Sequence, residues 1–481
     1  MKTQAFNPYL PSYEYIPDAE PRVFGDRVYI YGSHDRFNGK GFCELNYVCW
    51  SAPLDDLGSW RYEGEIYNKF QEPLCDGDHR ALPAPDAIQG PDGRYYLYYA
   101  FDYFGVISVA VCDTPAGKYQ FYGYVHHSDG TLLGRKEGDG TQFDPGIFVD
   151  DDGRVYLYSG FAPRRSFWEQ LSLPVPAMSG GMVTELMPDM LTVKNGSRML
   201  IPGVEDGSGT EFEGHEFFEA SSMRKTGERY YLIYSSIKSH ELCYAVSAYP
   251  DRDFSYGGTI VSNGDVGLDD RDEEEALNYT GNTHGSLVEI NGQWYVFYHR
   301  QTNRHMYSRQ GCAEKIRILA DGSIPQVEMT SCGLNAGPLQ GREKYEARIA
   351  CNLLSREGSL QYAEGISVSE VHPYFTQDGE DRENHPDQHI ANMTDGSIAG
   401  FKYFDLDFPA RIGIRYRGKG TGAFCVSTDI GGVPLVRIEV NPAEAWTELW
   451  AEITAEVKGV YPLYIEYQGE GAVDLIGFEI Q

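Results

Sequence analysis

The chain has no hydrophobic run long enough to cross a bilayer, and its first ten residues lack the apolar core of a secretory leader. The first absence excludes membrane-spanning helices. The second points to the cytoplasm, with secretion the alternative if a leader has been removed. Basic residues are scarce: 40 Lys and Arg stand against 71 Asp and Glu, giving a formal charge of −31. Such a surface argues against nucleic acid and anionic membrane as partners and favours a neutral one. The nine cysteines are odd in number and show no zinc-site spacing. Cys43 and Cys49 lie close together, but no second pair accompanies them. They read as reduced thiols.

Tyrosine and glycine are plentiful, at 36 and 54 residues, the composition of a turn-rich β protein. Much of the tyrosine sits in a phrase that occurs five times. Its copies are Arg27-Val28-Tyr29-Ile30-Tyr31, Arg94-Tyr95-Tyr96-Leu97-Tyr98, Arg154-Val155-Tyr156-Leu157-Tyr158, Arg229-Tyr230-Tyr231-Leu232-Ile233 and Gln293-Trp294-Tyr295-Val296-Phe297. Most follow a turn signal such as Asp92-Gly93, Asp152-Gly153 or Asn291-Gly292. A tight turn before an aromatic, β-branched run marks a hairpin entering its second strand. Recurrence of such a unit predicts a β-propeller with one four-stranded blade per copy, hence five blades.

Counting back eight to ten residues from each copy reaches Asp18, Asp86, Asp144, Glu219 and His284. Equivalent positions in successive blades lie on a ring, so this register predicts four carboxylates and one histidine around an axial funnel. Hydrolysis of a glycosidic bond needs two carboxyl groups in different protonation states, one to protonate the leaving oxygen and one to activate water or attack. A third carboxylate nearby raises the pKa of the acid. The ring holds enough groups for this scheme. Asp86 admits a second reading, as a group that only hydrogen-bonds blade backbone.

The repeat stops near Val327. The pattern divides the chain into a propeller over 1–326, a linker over 327–344 and a second unit over 345–481. Alternating runs such as Arg411–Tyr416, Leu435–Val440 and Tyr461–Tyr467, with no helical period, make the second unit a β-sandwich of jelly-roll type. The fold class is therefore all-β. Trp446 and Trp450, four apart, stand on one face of a strand and either pack the sandwich or form a binding platform.

Several motifs together resemble glycoside hydrolase family 43, the inverting five-bladed propeller enzymes, over roughly residues 5–325. Pro17-Asp18 ahead of Arg22-Val23 resembles the motif of the general base. Phe143-Asp144-Pro145-Gly146 resembles that of the pKa-tuning aspartate, and Phe218-Glu219-Ala220 that of the general acid. Ala84-Pro85-Asp86 resembles a sugar-holding motif, although Pro83 stands where the family usually has tryptophan. Asn282-Thr283-His284-Gly285 resembles the axial histidine, often associated with a water-coordinated metal ion; Ser308-Arg309-Gln310 resembles an arginine that contacts the innermost sugar.

The resemblance implies Asp18, Asp144 and Glu219 as catalytic residues and Asp86, Arg309 and His284 as substrate contacts. It also implies a possible structural calcium beside His284 and no organic cofactor. The expected activity is release of arabinofuranose or xylose from oligo- or polysaccharides. Galactofuranosidase or endo-arabinanase specificity, or a non-catalytic sugar-binding propeller, are the alternatives. The second unit resembles carbohydrate-binding module family 6, through Ile390–Met393, Gly396–Ile398 and Gly400–Asp405.

Overall fold

The structure, a computed structural model, describes residues 3–101, 105–176, 178–360, 371–382 and 388–481. The first four repeats each build a four-stranded antiparallel sheet. Blade one is Glu20–Phe24, Arg27–Tyr31, Tyr47–Pro53 and Arg61–Tyr67. Blade two is Asp86–Gln89, Tyr95–Ala100, Ile107–Cys112 and Gln120–Tyr124. Blade three is Gly146–Val149, Val155–Ser159, Gly180–Leu186 and Val193–Pro202, and blade four Phe217–Thr226, Arg229–Ser236, Glu241–Ser247 and Ser255–Ser262. The first strand of each blade packs against the first strand of the next, the fifth returns to the first, and Ala19 bridges Gly285 to close the ring.

The fifth blade departs from the expected four strands. Among the described residues it has three: Ser286–Ile290, Gln293–Gln301 and Arg309–Ile316. The N-terminal segment takes the outer place. The Asn7 side chain accepts from Ala313 N and donates to Ala313 O, both at 2.9 Å, and Tyr9 N donates to Gly311 O. A side-chain amide thus satisfies the strand edge as a neighbouring backbone would.

The repeated phrase is buried on both faces because each blade is packed between two others. Tyr96 and Tyr98 join Ile147, Val155 and Leu157 of blade three in one cluster. Leu97 and Tyr99 join Tyr31 and Tyr47 of blade one in another. Side chains alternate across a strand, so one phrase feeds two interfaces. Each buried aromatic or leucine contributes about 1.5–3 kcal/mol relative to exposure. Asn291 and Gly292 both have positive φ, as the type I′ turn entering the fifth phrase requires.

Residues 339–480 form two stacked six-stranded sheets enclosing their own core, which includes Phe401, Phe404, Phe424, Tyr467 and Phe478. The 327–344 stretch supplies one strand of it, Leu339–Gln340, parallel to Ser397–Asp407. The sandwich is fastened to the propeller by buried polar contacts. Arg300 donates to Arg348 O and Ala350 O at 2.6 and 2.7 Å, and Lys402 pairs with Asp265 at 3.1 Å. Trp446 and Trp450 lie on one strand, with Arg417 over one ring and Arg411 over the other.

Candidate active site

Backbone register decides which side chains reach the axial cavity. The fifth residue of each phrase pairs with a residue of the innermost strand: Tyr31 with Glu20, Tyr98 with Asp86, Tyr158 with Gly146, Ile233 with Ser222 and Phe297 with Ser286. These five form one layer. Two residues before these in the chain lie Asp18, Ala84, Asp144, Ala220 and His284, a layer nearer the mouth. Asp18 and Asp144 hold left-handed backbone conformations, with φ of 57° and 45°. Such strain clusters at functional sites. In blade four the register slips on both sides of Glu219, and Ala220 has φ of 71°. This bulge turns Glu219 towards the cavity in place of Ala220.

A cavity of about 310 Å³ opens over this layer, lined by Asp18, Asp144, Glu219, His284 and Arg309. Its apolar wall includes Phe42, Phe143, Phe161, Phe167 and Phe218, with Pro83 beside them. Phe161 is the hub: its ring centroid lies 5.3 Å from those of Phe143 and Phe218 and 5.5 Å from that of Phe167. The only α-helix among the described residues, Arg165–Gln170, supplies Phe167.

Asp18 is buried beneath donors. Arg309 Nη1 donates to its Oδ1 at 2.9 Å, and Ser33 Oγ to its Oδ2 at 2.5 Å. His284 Nδ1 lies 3.9 Å from Oδ1, and His299 Nδ1 accepts from the Asp18 amide at 3.3 Å. Burial opposes the charge, but Arg309, His284 and Ser33 outweigh it and hold the Asp18 carboxyl below its ordinary value. Asp35 completes the arrangement by taking Arg309 Nε at 2.9 Å and Nη2 at 3.1 Å.

Glu219 has the opposite environment. Crowding by protein atoms, then the charge of Asp144, pushes its pKa up to about 8. Asp144 is itself raised by burial, against a contact with His284 Nδ1 at 3.4 Å. Burial lowers the His284 pKa, but Asp144, Asp18 and Glu20 outweigh it and bring it to about 9. The cavity therefore sets an ionised carboxylate and a protonated carboxylic acid in one chamber at neutral pH, the pairing needed for acid–base hydrolysis.

Five of the six expected site residues line the cavity. Asp86 does not. It lies in the deeper layer, 0% exposed, held by Arg22 through Nε at 3.0 Å and Nη2 at 2.5 Å and by Ala87 N and Ile147 N. Substrate cannot reach oxygens so enclosed. The register residue that corresponds to Asp18 and Asp144 in blade two is Ala84. Conversely, sequence reading passed over Asp35, His299 and the phenylalanine wall. The polar run Ser33-His34-Asp35, directly after the first buried phrase, was the available signal for the first.

The axis below His284 does not fit a divalent cation. Arg22 neutralises Asp86, and Arg224 donates to Glu20 Oε2 at 2.7 Å, so two carboxylates are balanced by two guanidiniums. The one buried carboxylate oxygen without a partner in this layer is Glu20 Oε1. Calcium takes six to eight oxygen ligands and favours net negative sites. The layer below His284 therefore lacks the protein oxygens that calcium would need there.

The profile of glycosyl hydrolases family 43 matches residues 17–324, which span the whole ring and every cavity carboxylate. The chain belongs to glycosyl hydrolase family 43. It is 53% identical to a xylosidase/arabinosidase of Thermoclostridium stercorarium over 483 residues, covering 100% of this chain and 99% of the relative. The protein is a glycoside hydrolase. An arabinoxylan arabinofuranohydrolase from Bacillus subtilis, solved with cellotetraose, shares the fold across both units, with TM-score 0.51 and 20% identity, covering 98% of this chain and 96% of that one. A β-xylosidase/α-arabinofuranosidase from a compost microbial metagenome, solved with xylotriose in a calcium-free form, aligns with 66% of this chain and 96% of its own, with TM-score 0.51 and 26% identity.

Proposed function

We propose that the protein is an inverting glycosidase that releases arabinofuranosyl or xylosyl units from plant-type oligo- or polysaccharides. The observation that carries this reading is the opposed surroundings of two carboxyl groups lining one cavity: Asp18 takes Arg309 Nη1 and Ser33 Oγ, whereas Glu219 is crowded and near Asp144, which pushes its pKa up to about 8. Asp18 is the base that takes a proton from water. Glu219 is the acid that protonates the leaving oxygen. Asp144 keeps Glu219 protonated by its nearby negative charge, and Arg309 keeps Asp18 ionised. The water attacks the face of the sugar opposite the departing oxygen, so configuration inverts.

Sugar chemistry is supported by the names of the similar proteins: a xylosidase/arabinosidase at 53% identity and a β-xylosidase of Xylanibacter ruminicola at 30%. A cavity of about 310 Å³ is at the small end for ligand sites, which favours holding a terminal sugar over a long chain. The proton transfers in this scheme are carried by Asp18 and Glu219 alone. A panel of nitrophenyl glycosides tests the reading. The xyloside or arabinofuranoside should be cleaved, and Glu219→Ala should lose at least about 100-fold on a poor leaving group but much less on an activated one. Equal losses on both would remove Glu219 from the acid role.

A further inference from the structure

The cavity's charged floor is gripped from outside by the sandwich. After the sandwich strand Tyr374–Gln377, Asp381 and Arg382 reach the propeller loop that begins at His34. Asp381 Oδ1 accepts from Phe37 N at 2.7 Å. Arg382 Nη1 donates to His34 Nε2 at 2.8 Å and also to Glu14 Oε1. Glu14 is buried and takes Trp50 Nε1 on its other oxygen. One residue on, the Tyr15 hydroxyl donates to Gln377 Oε1 at 2.6 Å.

Asp35 lies between these anchors. Its amide donates to Tyr15 O at 2.9 Å, and the sandwich holds His34 and Phe37 on either side of it. Its oxygens take Arg309 Nε and Nη2, the Arg309 amide and Cys43 N. Leu45 N donates to His34 O, which closes the loop that carries Phe42 and Cys43 into the cavity wall. The other approach to Arg309 is held too. Asn303 N donates to Phe375 O at 2.6 Å and Arg304 Nη2 to the Tyr374 hydroxyl at 2.7 Å. A chain of contacts therefore runs from Arg382 through His34 and Asp35 to Arg309 and ends on Asp18.

We propose that Asp381 and Arg382 are positioning residues for hydrolysis: the sandwich fixes the His34–Phe37 segment so that Asp35 presents Arg309 to Asp18 in one geometry. This inference rests on Asp18 being the base. The sandwich is then part of the catalytic apparatus without touching substrate. Buried ion-paired networks of this kind hold functional groups in place only while every partner is present.

The test is the pH profile of kcat/KM for the full chain on its best aryl glycoside, with Arg382→Ala, Arg382→Lys, Asp381→Ala and Arg309→Gln. Asp18 is faced by Arg309, His284, His299, Cys43, Asp35, Asp144, Glu219 and Tyr47. Of these Arg309 is the strongest charge favouring its ionised form. Loosening Arg309 should therefore move the acid limb up by roughly half a pH unit or more. The rate constant kcat/KM should fall roughly tenfold, mainly through kcat. Arg382→Lys should restore most of both. If Arg382→Ala does not fold, Asp381→Ala carries the same test, because it leaves Glu14 its guanidinium. An acid limb unmoved in the sandwich variants but moved in Arg309→Gln would overturn the clamp alone. A limb unmoved in Arg309→Gln as well would overturn the base assignment and the clamp together.

Discussion

Arg309 donates to Asp18 at 2.9 Å and to Asp35 through two further nitrogens, so one guanidinium spans a carboxylate in the cavity and another outside it. Its charge is the largest influence holding Asp18 ionised against burial. Arg309→Gln should raise the Asp18 pKa and move the acid limb of kcat/KM to higher pH, since the base must be ionised to act. Two buried carboxylates also lose their partner, which should destabilise the fold by about 3–5 kcal/mol. Calorimetry and a pH–rate profile of the variant check both halves.

Asp144 governs the other limb. Glu219 stays protonated to about 8 through burial first and the Asp144 charge second. In Asp144→Asn the second influence is gone, the Glu219 pKa falls, and the basic limb should shift down by roughly one pH unit. A basic limb that stays in place would detach Asp144 from the acid.

Asp86 should matter for stability rather than for sugar. Asp86→Asn breaks the pair with Arg22 in a layer with no access from the cavity. The expected loss is about 3–5 kcal/mol of stability, with KM for a simple aryl glycoside unchanged. A raised KM at unchanged melting temperature would return Asp86 to the substrate site.

Chelator should leave activity intact. With Arg22 and Arg224 balancing Asp86 and Glu20, the layer below His284 has no net charge to attract calcium. Equal kcat/KM and equal Tm in excess EDTA and in millimolar calcium is the expected result. Loss of activity in EDTA, restored by calcium, would show an ion bound at the axis.

The propeller was legible because its repeated phrase answers to a period of two on both faces, and Tyr96 and Leu97 point to opposite neighbours as that period demands. The carboxylates of blades one and three were legible for the same reason; Glu219 of blade four reaches the cavity through a bulge that strict alternation would not show. Asp86 misled because a count of eight to ten residues leaves a margin of two, which is the spacing between layers. Blades two and three have matching hairpins, Gln89 pairing with Tyr95 and Val149 with Val155 across five residues each. The counterpart of Asp144 in blade two is therefore Ala84, ten residues back from its phrase, and not Asp86, eight back. Only the hydrogen-bonded register separates the layers. Asp35 and His299 were hidden because neither heads a strand. The sandwich's grip on His34 and Phe37 joins residues more than 300 positions apart, and no local pattern encodes such a contact.

In the proposed mechanism Asp18 activates water while Glu219 protonates the leaving oxygen, a single displacement with inversion. Proton NMR of the first-formed sugar, recorded before mutarotation, separates inversion from retention. The initial anomer should have the configuration opposite to that of the substrate. A product that first appears with the substrate's own configuration would rule out direct attack by water and make one of the two carboxylates a nucleophile.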